Sequence, residues 1–126
     1  MNGKRILYIE DNQENRLLVR RVLTAEGYTL LEAADGPSGV VAAEEHQPDL
    51  ILMDINLPDL DGYEVTTRIK RNPELSRVPV IAMTANVMHG DRERSLAAGC
   101  DGYIQKPIDI DLLPEQIAKF LSRIQS

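Results

Sequence analysis

The stretch LILMDINLPDLDG, residues 50–62, runs four apolar residues into Asp54, and Asp59 and Asp61 follow in a loop with Pro58 and Gly62. A carboxylate at the end of an apolar run is costly unless something pairs with it. Three other apolar runs end in chemically capable residues: Glu10-Asp11-Asn12, Thr84-Ala85-Asn86 and Lys106-Pro107. The set is three carboxylates, one hydroxyl and one ammonium. Brought together, Glu10, Asp11 and Asp54 would repel and raise one another's pKa values. A hard divalent cation removes that conflict, and Mg²⁺ prefers oxygen ligands, few carboxylates and several retained waters. Asp11 and Asp54 suit direct ligation. Asn56 can offer its backbone carbonyl, and Glu10 suits holding a metal-bound water. A carboxylate in that setting can act as a nucleophile toward phosphorus, giving an aspartyl phosphate. Asp54 is the candidate acceptor, with Lys106 and Thr84 as donors to the phosphoryl oxygens.

Those residues can meet only if the chain brings the ends of its apolar runs together. Five short β-rich runs are RILYI (5–9), TLLEA (29–33), LILM (50–53), VPVIAM (78–83) and GYIQ (102–105). Between them lie segments with helical spacing. Residues 12–26 carry Leu18, Val19, Val22 and Leu23 on one face, with Gly27 as the stop. Residues 37–46 begin at Pro37 and stop before Pro48. Residues 62–71 carry Val65 and Ile69, and residues 90–98 carry Leu96 and Ala97 before Gly99. The last helix shows Leu113, Ile117, Leu121 and Ile124. Pro114 fits only its first turn, which predicts a start near Asp111.

Regular βα alternation predicts right-handed crossovers and an α/β fold with helices on both faces of a parallel sheet. The first, third and fourth runs are the most apolar and belong in the centre. Polar Glu32 and Gln105 mark the edges. The expected order is 2-1-3-4-5, a doubly wound five-stranded flavodoxin-like sheet. Ligands of such sheets sit at the carboxyl ends of the strands, near the switch in strand order. All the candidate residues fall there.

The chain of 126 residues suits one domain, 1–126, and shows no linker or repeat. Met1 immediately precedes the first strand and the last helix reaches the C-terminus, so a free-standing protein is expected. Net charge is −6, which disfavours binding to nucleic acid or to an anionic membrane. A single cysteine, Cys100, fits a reducing cytoplasm. No apolar stretch approaches the roughly 20 residues of a membrane span.

These motifs closely resemble those of the receiver domains of two-component response regulators, the CheY-like family. The resemblance covers nearly the whole chain. It is carried by Glu10-Asp11, by the segment from Asp54 to Gly62, by Thr84-Ala85 and by Lys106-Pro107, in that order and at the family's spacing. It implies a signalling switch, phosphorylated on Asp54 by a sensor histidine kinase or a histidine phosphotransfer protein in a Mg²⁺-dependent reaction. The domain then catalyses only its own phosphorylation and dephosphorylation and is no enzyme toward free substrates. The resemblance further implies that Thr84 moves toward the phosphoryl group and that Tyr103 turns inward. The face of the fourth helix, fifth strand and fifth helix would then meet a downstream protein or a second copy. A cis peptide between Lys106 and Pro107 is implied as well. Asn56 and Asn86 lie where the family varies in phosphoryl lifetime.

Each residue taken singly also has a plainer role. Glu10, Asp11 and Asn12 could cap the first helix. Asp54 could make a local turn bond, Thr84 could be an ordinary strand hydroxyl, and Lys106 could form a surface ion pair. His46, Arg20, Arg21, Arg92 and Arg94 read as solvated, the last two also able to touch a partner; His89 lies in the loop before the fourth helix, and Cys100 reads as a small buried residue. Four alternatives share parts of the pattern. A flavin mononucleotide carrier needs a phosphate-cradling loop, yet EDNQEN would repel phosphate. A small-molecule aspartyl phosphohydrolase lacks its second Asp, replaced by Asn56. The others are a partner-binding receiver without phosphorylation and a receiver from a hybrid kinase.

Overall fold

Side chains alternate across a strand, and in this chain the alternation divides the interior in two. The computed structural model describes residues 3–55, 62–84 and 91–125. Along β1 (Arg5–Ile9), Ile6 and Tyr8 enter one core, while Leu7 and Ile9 enter the other. β3 (Leu50–Asp54) and β4 (Val80–Thr84) split in the same way and are buried at every position. Each fully buried Leu, Ile or Val contributes about 1.5–3 kcal/mol. α1 (Gln13–Ala25) and α5 (Leu113–Gln125) close the first core with Val19, Leu23, Leu113, Ile117 and Leu121. α2 (Gly36–His46), α3 (Gly62–Arg71) and α4 (Asp91–Ala98) close the second, through residues such as Ala43, Val65, Ile69 and Ala98.

The five strands, completed by β2 (Thr29–Ala33) and β5 (Gly102–Gln105), are all parallel in the order β2-β1-β3-β4-β5. This is the expected doubly wound sheet. Its edges carry Glu32 and Gln105, where a polar side chain can reach solvent.

Element ends follow local chemistry. The Asn12 side chain caps α1 by accepting from the Asn15 N–H at 2.9 Å, and Asp35 caps α2 by accepting from Ser38 at 2.8 Å. β4 begins at Val80, two residues later than expected, because the Val78 N–H is used in a turn to Leu75 and Pro79 has no N–H to give. It also runs one residue further, so Thr84 is part of the strand. α5 begins at Leu113, two residues after the expected start, with Pro114 in its first turn. The Asp109 carboxylate accepts from the N–H groups of Asp111 and Leu112, forming a separate turn ahead of the helix. Two helix faces also differ from expectation. Leu18 is 37% exposed, so the apolar face of α1 is narrower than its sequence reads. On α4, Leu96 (58% exposed) and Ala97 point outward, and Ala98 makes the core contact.

Gly62 sets the approach of α3 to the end of β3. A Cβ there would lie 2.7 Å from the Asp54 carbonyl oxygen and 2.8 Å from the Ile55 Cα. Both are backbone atoms with no rotamer to yield, so glycine is what lets the helix start there. Among the described residues, no helix is long and apolar enough to cross a membrane.

Candidate functional site

Asp54 is the last residue of β3 and is 2% exposed. Glu10 follows β1 directly and is 1% exposed; its N–H donates to the Ala33 carbonyl at 2.9 Å, which fixes it against β2. Asp11 is exposed on the turn into α1. Carboxylate oxygens of Glu10, Asp11 and Asp54 lie within 4.8 Å of one another. Two buried acids and one exposed acid with converging oxygens fit a hard cation approached from solvent. Asn56, the expected carbonyl ligand, lies outside the described residues, as do Asn86 and His89.

Lys106 enters from the loop after β5. Its N–H donates to the Thr84 carbonyl at 2.8 Å, and the Lys106–Pro107 peptide is cis, as the resemblance implied. Its ammonium donates to Asp54 Oδ1 at 2.9 Å and lies 3.5 Å from Glu10 Oε1. Burial by itself would lower the Lys106 pKa, but the hydrogen bond and charge of Asp54, joined by Glu10, raise it overall. The lysine therefore stays charged. Glu10 goes the opposite way for a carboxylate. Burial, then the hydrogen bond and charge of Asp54, push it up to about 7, against the pull of Lys106. At neutral pH the metal-free cluster thus resists carrying its full negative charge.

Thr84 ends β4, buried, on the face of the sheet that packs against α3 and α4. Tyr103 lies on the same face of the neighbouring strand, paired in register with Ala82 two residues before Thr84, and is half-buried against that core. The structure therefore assembles Glu10, Asp11, Asp54, Thr84 and Lys106 at one crevice, with Tyr103 a strand away from Thr84.

Three residues of this neighbourhood, Tyr8, Asn15 and Arg16, were not singled out from the sequence. Tyr8 donates its hydroxyl to Glu10 Oε1 at 3.0 Å, and Asn15 Nδ2 donates to the same oxygen at 3.3 Å. Arg16 donates to the Glu10 carbonyl at 2.7 Å and pairs with Glu32 at 3.5 Å. Arg20, read as solvated, makes a two-pronged pair with Glu32 at 2.6 and 2.9 Å. One signal for Tyr8 was available: residues i and i+2 of a strand share a face. Cys100 is buried as expected, and its thiol lies 3.7 Å from the Thr66 hydroxyl.

A carboxylate flanked by two acids and an ammonium, with a buried hydroxyl at the end of the next strand, can accept a phosphoryl group once the acids are neutralised by a cation. The first loop of the crevice presents the carboxylates of Glu10 and Asp11, which would repel a preformed phosphate ester.

Comparison with known proteins gives the same picture. The family model described as response regulator receiver domain matches residues 6–118. The chain is 44% identical over 118 residues to the polar-differentiation response regulator DivK of Brucella anthropi, covering 94% of this chain and 96% of that one. It resembles the receiver domain of sensor histidine kinase PA1611 from Pseudomonas aeruginosa PAO1, with 41% identity and a TM-score of 0.85 over 98% of this chain and 99% of that one. That structure has a magnesium ion coordinated in its active-site cleft. A CheY-like receiver domain from Methanospirillum hungatei JF-1 superposes with a TM-score of 0.90 at 30% identity, over 98% of this chain and 97% of that one.

Proposed function

Because the chain belongs to the response regulator receiver domain family of two-component systems, we propose that Asp54 is its phosphoryl acceptor and that acceptance requires Mg²⁺ held by Glu10, Asp11, Asp54 and the carbonyl of Asn56. The observation that carries the reading is the Lys106 ammonium 2.9 Å from Asp54 Oδ1, beside three converging carboxylates. The donor is a phosphohistidine on a sensor histidine kinase or a phosphotransfer protein. A carboxylate oxygen of Asp54 forms a bond to phosphorus as the P–N bond breaks, and the electron pair of that bond stays on the donor imidazole. Bound Mg²⁺ supplies the positive charge that lets the acid cluster and the phosphoryl oxygens come together. Lys106 turns from the carboxylate to a phosphoryl oxygen, and the Thr84 hydroxyl donates to another. Attack of water on phosphorus later returns free Asp54 and inorganic phosphate.

On this reading the protein turns over no free substrate apart from small phosphodonors. Its output is a protein contact at the α4-β5-α5 face, with a downstream target or with a second copy. It acts in the cytoplasm, without contacting nucleic acid. The test is mass spectrometry after incubation with Mg²⁺ and acetyl phosphate. Wild type should gain one phosphoryl group and Asp54→Ala none. Equal labelling of the two proteins overturns the assignment.

A further inference from the structure

Glu10 is buried at the crevice beside another carboxylate, so its two oxygens cannot be left to chance. Oε1 receives three donors: Tyr8 Oη at 3.0 Å, Asn15 Nδ2 at 3.3 Å and Lys106 Nζ at 3.5 Å. Oε2 accepts from the Asn12 N–H at 3.4 Å, and the carboxylate also hydrogen-bonds Asp54. Of the three donors on Oε1, Tyr8 is the nearest and its residue is fully buried. Asn15 sits at the edge of the crevice, and Lys106 is shared with Asp54 and is called away once a phosphoryl group arrives. The Tyr8 ring is part of the buried core that α1 and α5 close, together with Val19, Leu23 and Leu113. It cannot swing away without opening that core. A neutral hydroxyl also adds no positive charge that would compete with a cation.

We propose that Tyr8 is a positioning residue for the metal site: its hydroxyl pins Glu10 Oε1 and so presents Oε2 to a divalent cation or its bound water. The inference rests on the Mg²⁺ reading given above. It extends the site inward by one residue, to a group that touches neither metal nor phosphoryl. Outer partners of this kind orient the ligands they bond, and their removal costs metal affinity. Tyr8→Phe keeps the ring and deletes only the hydroxyl.

The experiment is Mg²⁺ titration, by calorimetry, of wild type, Tyr8→Phe, Glu10→Ala and the double variant. Tyr8→Phe should weaken Mg²⁺ binding about tenfold, and the same change in the Glu10→Ala background should cost nothing further. Unchanged affinity in Tyr8→Phe overturns the proposal. An equal loss in both backgrounds also overturns it, because the effect would then bypass Glu10. A wild type that binds no Mg²⁺ overturns the metal reading itself, a separate outcome. If Tyr8→Phe does not fold, the Tyr8 ¹³Cζ resonance of wild type decides. It should move when Mg²⁺ is added, and a fixed resonance on a protein shown to bind Mg²⁺ overturns the proposal.

Discussion

Lys106 holds two buried carboxylates with one ammonium, 2.9 Å from Asp54 and 3.5 Å from Glu10, and is itself 20% exposed. Removing one partner from a buried pair leaves the other charge uncompensated, which costs about 3–5 kcal/mol in full burial. Solvent reaches this lysine, so the expected loss for Lys106→Ala in metal-free buffer is smaller, about 2 kcal/mol. Added Mg²⁺ should recover most of it, since a ligand of the native state alone stabilises by mass action. Urea unfolding with and without Mg²⁺ measures both; equal stability of the two proteins without metal means the pairing contributes nothing. Cys100 makes a second case. Burial pushes its thiol up to about 11, so the reactive thiolate is scarce at pH 8. Native protein should resist iodoacetamide at pH 8 and react at once in denaturant. Fast native alkylation contradicts the buried thiol. The acids, the threonine and the lysine were legible in the sequence because each breaks an apolar run. Tyr8 was not, because a phenol inside such a run looks like core until its two-residue offset from Glu10 is considered. Glu32 was read only as an edge marker, because its partners Arg16 and Arg20 lie on a different element.

At the scale of elements, the site depends on how closely α3 follows β3. Gly62→Ala would place a methyl group 2.7 Å from the Asp54 carbonyl oxygen. The helix must shift, at a cost of about 1–3 kcal/mol by analogy with overpacked cores. The displaced backbone is that of Asp54 itself. Gly62→Ala should therefore lower both the urea midpoint and the rate of phosphorylation by acetyl phosphate. A lower midpoint with an unchanged rate means that the approach of α3 serves packing alone. All ten elements were legible from alternation and helical spacing. Their ends were less so where a side chain or a proline takes over a backbone bond. Asp109 diverts two N–H groups ahead of α5, and Pro79 withholds one before β4. The outward turn of Leu96 was hidden because α4 is short and its neighbour Ala98 can supply the core contact.

For the whole molecule, strand order was readable because a strand buried on both faces must be apolar throughout, while Glu32 and Gln105 can be accommodated only at the edges. The same order fixes how far a charge at Asp54 is felt. A phosphoryl group adds about 1.5 to 2 negative charges and new acceptor oxygens. Thr84 is buried one strand away, in register just beyond the Met83–Asp54 pair, and its hydroxyl is a suitable donor to those oxygens. Drawing that hydroxyl toward the phosphoryl group vacates space on the α3–α4 side of β4. Tyr103 occupies that side, two residues back in register on β5, half in and half out of the core. Its inward rotation would fill the space and change the surface of β5, against which α4 packs. A ligand shifts such an equilibrium only by its differential affinity for the two states, so a partner that prefers the inward state binds the phosphorylated protein more tightly. NMR shift mapping with beryllofluoride, a phosphoryl mimic, tests the route. In wild type, perturbations should run from the crevice through residues 91–105. In Tyr103→Ala, beryllofluoride should still bind at Asp54, but the perturbations should stop at β4. If wild-type shifts never leave the crevice, or if the Tyr103→Ala map matches wild type, the signal does not travel by this tyrosine.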